Sequence, residues 1–151
     1  MQLRGSHIFD AKAASVWQVL MNPDLLAKVV PGVTRLETLS ENNFKSILTV
    51  KVGPVSGSFS GNLQLENIDP EKSFTLTAKQ NSNIGNANAI VKININMVDD
   101  KQTELVFDGD VKLSGMLATM GQRVVGGVAN TITKQFFTNL ETELAAATNH
   151  S

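Results

Sequence analysis

The chain has 151 residues, a formal net charge of −1, 18% charged residues and no cysteine. That length suits one domain with one sizeable core, the charge balance offers no basic patch for nucleic acid and no polybasic block for anionic lipid, and the lack of thiols excludes a disulfide framework, a thiolate nucleophile and any cysteine-based metal site. The opening "MQLRGSHIFDAKAAS" lacks the apolar region of a secretory signal, and no run approaches the ~18 apolar residues of a membrane span, so a soluble cytoplasmic protein is expected.

"LRGSHIF" suits an N-terminal strand. Asp10 or a neighbour then opens a short helix through Ala14, Val16, Trp17, Val19 and Leu20. A second short helix follows Asn22-Pro23, built from Leu25, Leu26, Val29 and Val30, and Pro31-Gly32 stops it. From Phe44 the chain alternates apolar and polar residues, the period of a strand with one buried face. Phe44, Leu48, Val50 and Val52 form the first such inner row, and Gly53-Pro54 ends it. Val55, Gly57, Phe59, Gly61, Leu63 and Leu65 form the next, followed by Phe74, Leu76 and Ala78. Ala87, Ala89, Val91, Ile93, Ile95 and Met97 make a fourth, and Leu105, Phe107, Gly109, Val111 and Leu113 a fifth. Beyond Gly115, residues Leu117, Met120, Val124, Val128, Ile132, Phe136, Leu140 and Leu144 recur at spacings of three and four, which predicts one long amphipathic helix. A single domain over residues 1–147 with a frayed tail at 148–151 is expected.

A strand, two short helices, a run of antiparallel strands and a long helix argue for an α+β fold in which the helix covers one face of a curved sheet. This order resembles the helix-grip arrangement of the START-like (SRPBCC) superfamily, a sheet of about six to seven strands wrapped around the C-terminal helix. Several phrases narrow the likeness: Val16-Trp17, Pro31-Gly32, Val52-Gly53-Pro54, Phe59 with Gly61, Gly115 through Gly121, and Phe136-Phe137. Together they resemble the carbon monoxide dehydrogenase G-subunit (CoxG) family over nearly the whole chain. The resemblance implies an accessory role beside a molybdenum hydroxylase and a hydrophobic cavity for a lipid or quinone-like molecule. Val33 stands where many relatives carry cysteine after the Pro-Gly, so no thiol-dependent role transfers. Some relatives continue into a membrane-contacting tail; this chain ends soon after its helix, and at most transient contact with the inner membrane surface is expected.

The residues themselves offer little catalytic chemistry. His7 shares the parity of Leu3, Gly5 and Phe9 and can point inward, where a lone histidine is more often a polar end-group than a catalyst. No H-E-x-x-H or similar spacing supports a metal. Asp108 and Asp110 share a polar strand face, better explained as solvated surface than as an acid–base pair. The glycines at 121, 126 and 127 lack the Lys-Ser/Thr of a phosphate loop. No cofactor is expected.

What remains is shape. Gly57, Gly61, Ala87, Ala89 and Gly109 on the sheet oppose Gly121, Gly126, Gly127 and Ala129 on the helix. Either backbone packs closely on backbone, or an apolar cavity lies between, walled by Phe59, Leu63, Ala89, Val91, Phe107, Leu117, Met120, Val124 and Val128, with His7 and Gln80 as polar candidates. Such a cavity suits a non-enzymatic carrier of a hydrophobic molecule. The alternatives are a cyclase- or hydrolase-type enzyme using His7 with Gln80, and a ligand-free assembly factor.

Overall fold

The computed structural model describes residues 1–149. Seven strands form one antiparallel sheet in the order β1-β7-β6-β5-β4-β3-β2. They are β1 (Gln2–Phe9), β2 (Val33–Ser40), β3 (Asn43–Val52), β4 (Val55–Asp69), β5 (Ser73–Ser82), β6 (Gly85–Met97) and β7 (Thr103–Leu113). Helices α1 (Ala13–Met21) and α2 (Pro23–Val29) connect the two edge strands, and α3 (Met116–Thr119) and α4 (Gln122–Asn149) close the chain. This is the helix-grip arrangement that the order of elements predicts. The helix runs through Asn149 into the segment expected as a tail, and residues 150–151 of that tail lie outside the described residues.

Local chemistry sets most boundaries. Asn22 caps α2 by accepting the N–H groups of Asp24 at 3.0 Å and Leu25 at 3.4 Å, and Pro23 supplies a preset first helical residue. Helix α1 starts after Lys12 without a side-chain cap. Asp10 instead accepts from Gln102 Nε2 at 2.9 Å, tying the β1–α1 corner to the loop before β7.

Two expectations are corrected, and one strand is added to those read from alternation. Strand β2 does not appear in the alternating pattern, because its apolar residues Val33, Leu36 and Leu39 fall three apart; register shifts between Val33 and Arg35 and between Thr38 and Ser40 reset the parity of this edge strand. Met97, placed on the inner row of β6, is 67% exposed, so that row ends at Ile95. The long C-terminal helix is two helices: Gly121 adopts φ +86° between α3 and α4, a left-handed conformation that ends the first and lets the second start afresh.

The core has two parts. The larger packs the C-terminal half of α4 (Phe137, Leu140, Leu144) against α1, α2 and the sheet around Phe9, Phe44, Phe74 and Leu105. The smaller gathers Val55, Phe59, Leu117 and Val128, with half-buried Leu48, Val50, Ile84 and Ile132 around them.

Candidate ligand cavity

A cavity of about 200 Å³ lies in the smaller part of the core. The sheet supplies Leu3 from β1, Leu48 and Val50 from β3, Val55 and Phe59 from β4, Ala87 from β6, and Val111 and Leu113 from β7. The helices close it with Leu117 of α3 and with Val125, Val128, Ala129 and Ile132 of α4, which fall on one helical face at spacings of three and four. Met1 completes the rim, and Gln80 of β5 is the one polar wall residue.

Gln80 is 5% exposed and its amide is already engaged. Its Nε2 donates to Ser46 Oγ at 3.0 Å and to the carbonyl of Asn62 at 3.3 Å. The register explains the reach: Gly61 of β4 lies opposite Ser46 of β3 on one side and opposite Gln80 on the other, so no side chain stands between the two. A Cβ at position 61 would lie 1.7 Å from the Lys79 carbonyl oxygen. The polar pair therefore satisfies itself, and the remaining surface is hydrocarbon.

The glycine question is answered locally. A Cβ on Gly126 or Gly127 would meet nothing within 4 Å, and one on Gly57 only Ile84 Cδ1 at 3.9 Å. Gly121 and Gly127 are exposed and Gly126 is half-buried beside the β1–α4 cleft, so the helix glycines do not oppose the sheet glycines across the cavity as expected, and the only small residues on its walls are Ala87 and Ala129. Of the sheet glycines on the inner rows, Gly61 and Gly109 do approach backbone closely, a Cβ on Gly109 lying 2.7 Å from the Ile90 carbonyl oxygen.

Of the residues expected to wall the cavity, Phe59, Leu117 and Val128 stand in it, as does Gln80. Met120 is half-buried and packs beside it on the smaller cluster. Leu63 belongs to the larger cluster, with Val91 and Phe107 packed half-buried against that cluster. Ala89 is half-buried on β6 outside the cavity walls. Val124 is 37% exposed and stands at the margin of the inward face of α4, where the buried valines are Val125 and Val128. Leu48, Val50, Val111 and Leu113, not singled out as walls, already lay on the alternating inner rows.

His7 lies elsewhere. It borders an open cleft of about 800 Å³ between β1 and α4, which Phe107, Asn130, Lys134 and Phe137 also line. Its ring stacks on Phe137 at 5.0 Å and 17° and meets Phe9 edge-on at 4.7 Å, while Nε2–H donates to Glu141 of α4. His7 and Gln80 therefore do not form the paired site expected of an enzyme. Asp108 and Asp110 are outward, bonded to Arg4 at 3.2 Å and to the Met1 amine at 3.3 Å. No helix among the described residues is long and apolar enough to cross a membrane.

A curved antiparallel sheet that grips a C-terminal helix over an apolar cavity defines a START-like protein. The chain belongs to the carbon monoxide dehydrogenase G-subunit (CoxG) family, whose model matches residues 5–145. Among solved structures it is similar to a conserved protein from Geobacillus kaustophilus, with 27% identity, 97% of each chain covered and a TM-score of 0.94. A START superfamily protein from Mycobacterium smegmatis shares the fold at 12% identity, covering 97% of this chain and 98% of that one, with a TM-score of 0.77. The Zhui aromatase/cyclase from a Streptomyces strain does so at 15% identity, covering 96% and 93%, with a TM-score of 0.73. Curated proteins give no match.

Proposed function

We propose that this chain is a non-enzymatic accessory protein that holds one lipophilic molecule, a lipid or quinone-like chain, between sheet and α4. We further propose that it serves a molybdenum hydroxylase in the cytoplasm, with no more than transient contact at the inner membrane surface. The observation that carries the binding reading is the cavity of about 200 Å³ whose every wall residue but Gln80 is apolar. An apolar pocket of this size favours hydrocarbon as its occupant, and an enclosed apolar cavity of about 150 Å³ takes up benzene. At ~0.8 kcal/mol for each buried CH₂, a segment of about six carbons contributes ~5 kcal/mol with no polar contact. Membership of the CoxG family supports the accessory role. Likeness to an aromatase/cyclase concerns the fold alone, and the separation of His7 from Gln80 leaves the enzymatic reading without its pair.

Native mass spectrometry of protein incubated with long-chain lipids and quinones tests the binding. One bound molecule is expected, with uptake lost in Ala129→Leu and Ala129→Phe, which fill the cavity from α4. Absence of uptake by the unaltered protein, or equal uptake by both variants, refutes the reading. Co-purification with a co-expressed molybdenum hydroxylase tests the partnership separately.

A further inference from the structure

The cavity is too small for the whole of any lipid. By comparison with the benzene-sized case it accommodates about six to eight carbons, so a longer guest must continue into neighbouring space. That space is defined by Met1. This residue borders the apolar cavity, the open cleft between β1 and α4, and a third hollow of about 180 Å³ beside Gly121. Leu3 is a second wall common to cavity and cleft. An unbranched thioether side chain is the most adaptable partition an apolar boundary can have. Gly126, where an added Cβ would meet nothing within 4 Å, leaves the cleft unobstructed on the helix side.

The cleft is more polar than the cavity. Its titratable side chains are Arg4, His7 and Lys134, all basic, and no carboxylate lines it. Acids behind the walls already engage two of these: Asp108 pairs with Arg4 and Glu141 with His7, just as Asp110 holds the Met1 amine. Lys134 makes no ion pair among the described residues. Asn130, one helical turn earlier on the same face of α4, lines the cleft beside it. One uncommitted ammonium and one amide thus face a cleft that adjoins a hydrocarbon cavity at Met1 and Leu3.

We propose that the guest is an acidic amphiphile whose carboxylate is held in the β1–α4 cleft by Lys134 and Asn130 while its alkyl tail passes Met1 into the apolar cavity. This rests on the binding reading above and adds to it the location and charge of the head. The test is isothermal titration of the purified chain with dodecanoate and with its methyl ester, for the unaltered protein, Lys134→Gln and Ala129→Phe. The acid is expected to bind more tightly than the ester. Lys134→Gln should weaken the acid by about two- to five-fold, the range for an exposed ion pair, and leave the ester unchanged. The advantage of the acid should shrink as salt rises. Ala129→Phe should abolish both. Equal affinities for acid and ester, unaffected by Lys134→Gln but lost in Ala129→Phe, overturn the proposed head site while leaving the cavity reading intact. Binding that survives Ala129→Phe overturns both. Because Lys134 is exposed, Lys134→Gln keeps the fold, and an unchanged thermal melt verifies it.

Discussion

Replacing Gly127 and Gly126 with alanine, singly and together, tests the interpretation of the α4 glycines most directly. Interior glycine costs a helix about 0.8 to 1.0 kcal/mol relative to alanine. Both positions lie within α4, and an added Cβ would touch nothing within 4 Å at either. The helical gain should therefore appear undiminished by steric cost, about 1 kcal/mol for each site and about 2 kcal/mol for the pair. In a domain of 151 residues, 1 kcal/mol corresponds to a rise in Tm of about 2–4 °C, so the double variant should melt about 4–8 °C higher. Calorimetric melting and a urea midpoint shift at constant slope provide the measurement. Gly121→Ala supplies the internal contrast. It too has open space around it, but its φ of +86° demands a left-handed residue, and the substitution should lose about 1–2 kcal/mol. The same chemical change is thus expected to have opposite signs five residues apart. A lowered Tm for Gly126→Ala or Gly127→Ala would show that another backbone presses on α4 and would refute the open-space account.

Three further substitutions probe the parts around the cavity. Ser46→Ala removes the buried partner of the Gln80 amide and should cost about 1–3 kcal/mol by urea titration, whereas Ser46→Ala with Gln80→Leu should recover much of that loss. Leu140→Ala, at a side chain with no solvent exposure in the larger core, should destabilise by about 2–5 kcal/mol in the same assay. Asn22→Ala deletes the cap of α2 and should lower stability by about 1 kcal/mol, with faster amide exchange at Asp24 and Leu25 as its local signature.

Period-two alternation made β3 through β7 legible because their inner faces are continuously covered, as the rows through Phe44, Phe59, Phe74, Ile93 and Leu105 show. It was silent for β2, where two register shifts on an exposed edge move the apolar residues off any one parity. The long helix was legible as an apolar stripe, but a stripe carries no mark of a break. Because glycine is compatible with both a costly helix interior and a left-handed junction, Gly121 could be assigned only from its φ. Val124, four residues before Val128 in the same helix, falls at the margin of the buried stripe, and Val125 takes the inward place. Of the small residues expected to leave the space, only Ala87 and Ala129 line the cavity and none of the glycines does, while Phe59, Leu117 and Val128 stand on its walls as expected. Leu63, Val91 and Phe107 have the same parity but lie farther along their strands, where Phe137 and Leu140 fill the space. Parity specifies a face of the sheet; position along the strand decides whether that face meets Ala129 or Phe137 of α4. His7 was inward as its parity implied, yet it meets α4 across β1 rather than the cavity, a long-range juxtaposition with Glu141 that no local pattern encodes.

The division of the core also has a mechanical side. Among the described residues, sixteen buried hydrophobic side chains hold the larger cluster together and four hold the smaller. Helix α4 is built like a beam clamped at one end: Phe137, Leu140 and Leu144 fix its far half, and the Asn139 side chain bonds the Val29 carbonyl at 3.1 Å. Its near half rests on Val125 and Val128 and begins at a glycine joint. Regions with few buried apolar contacts open at lower free energy than the whole molecule unfolds. The near half of α4 should therefore exchange its backbone amides faster than the clamped half, because the energy required to open the hollow end is set by the few residues lining it rather than by the solid end.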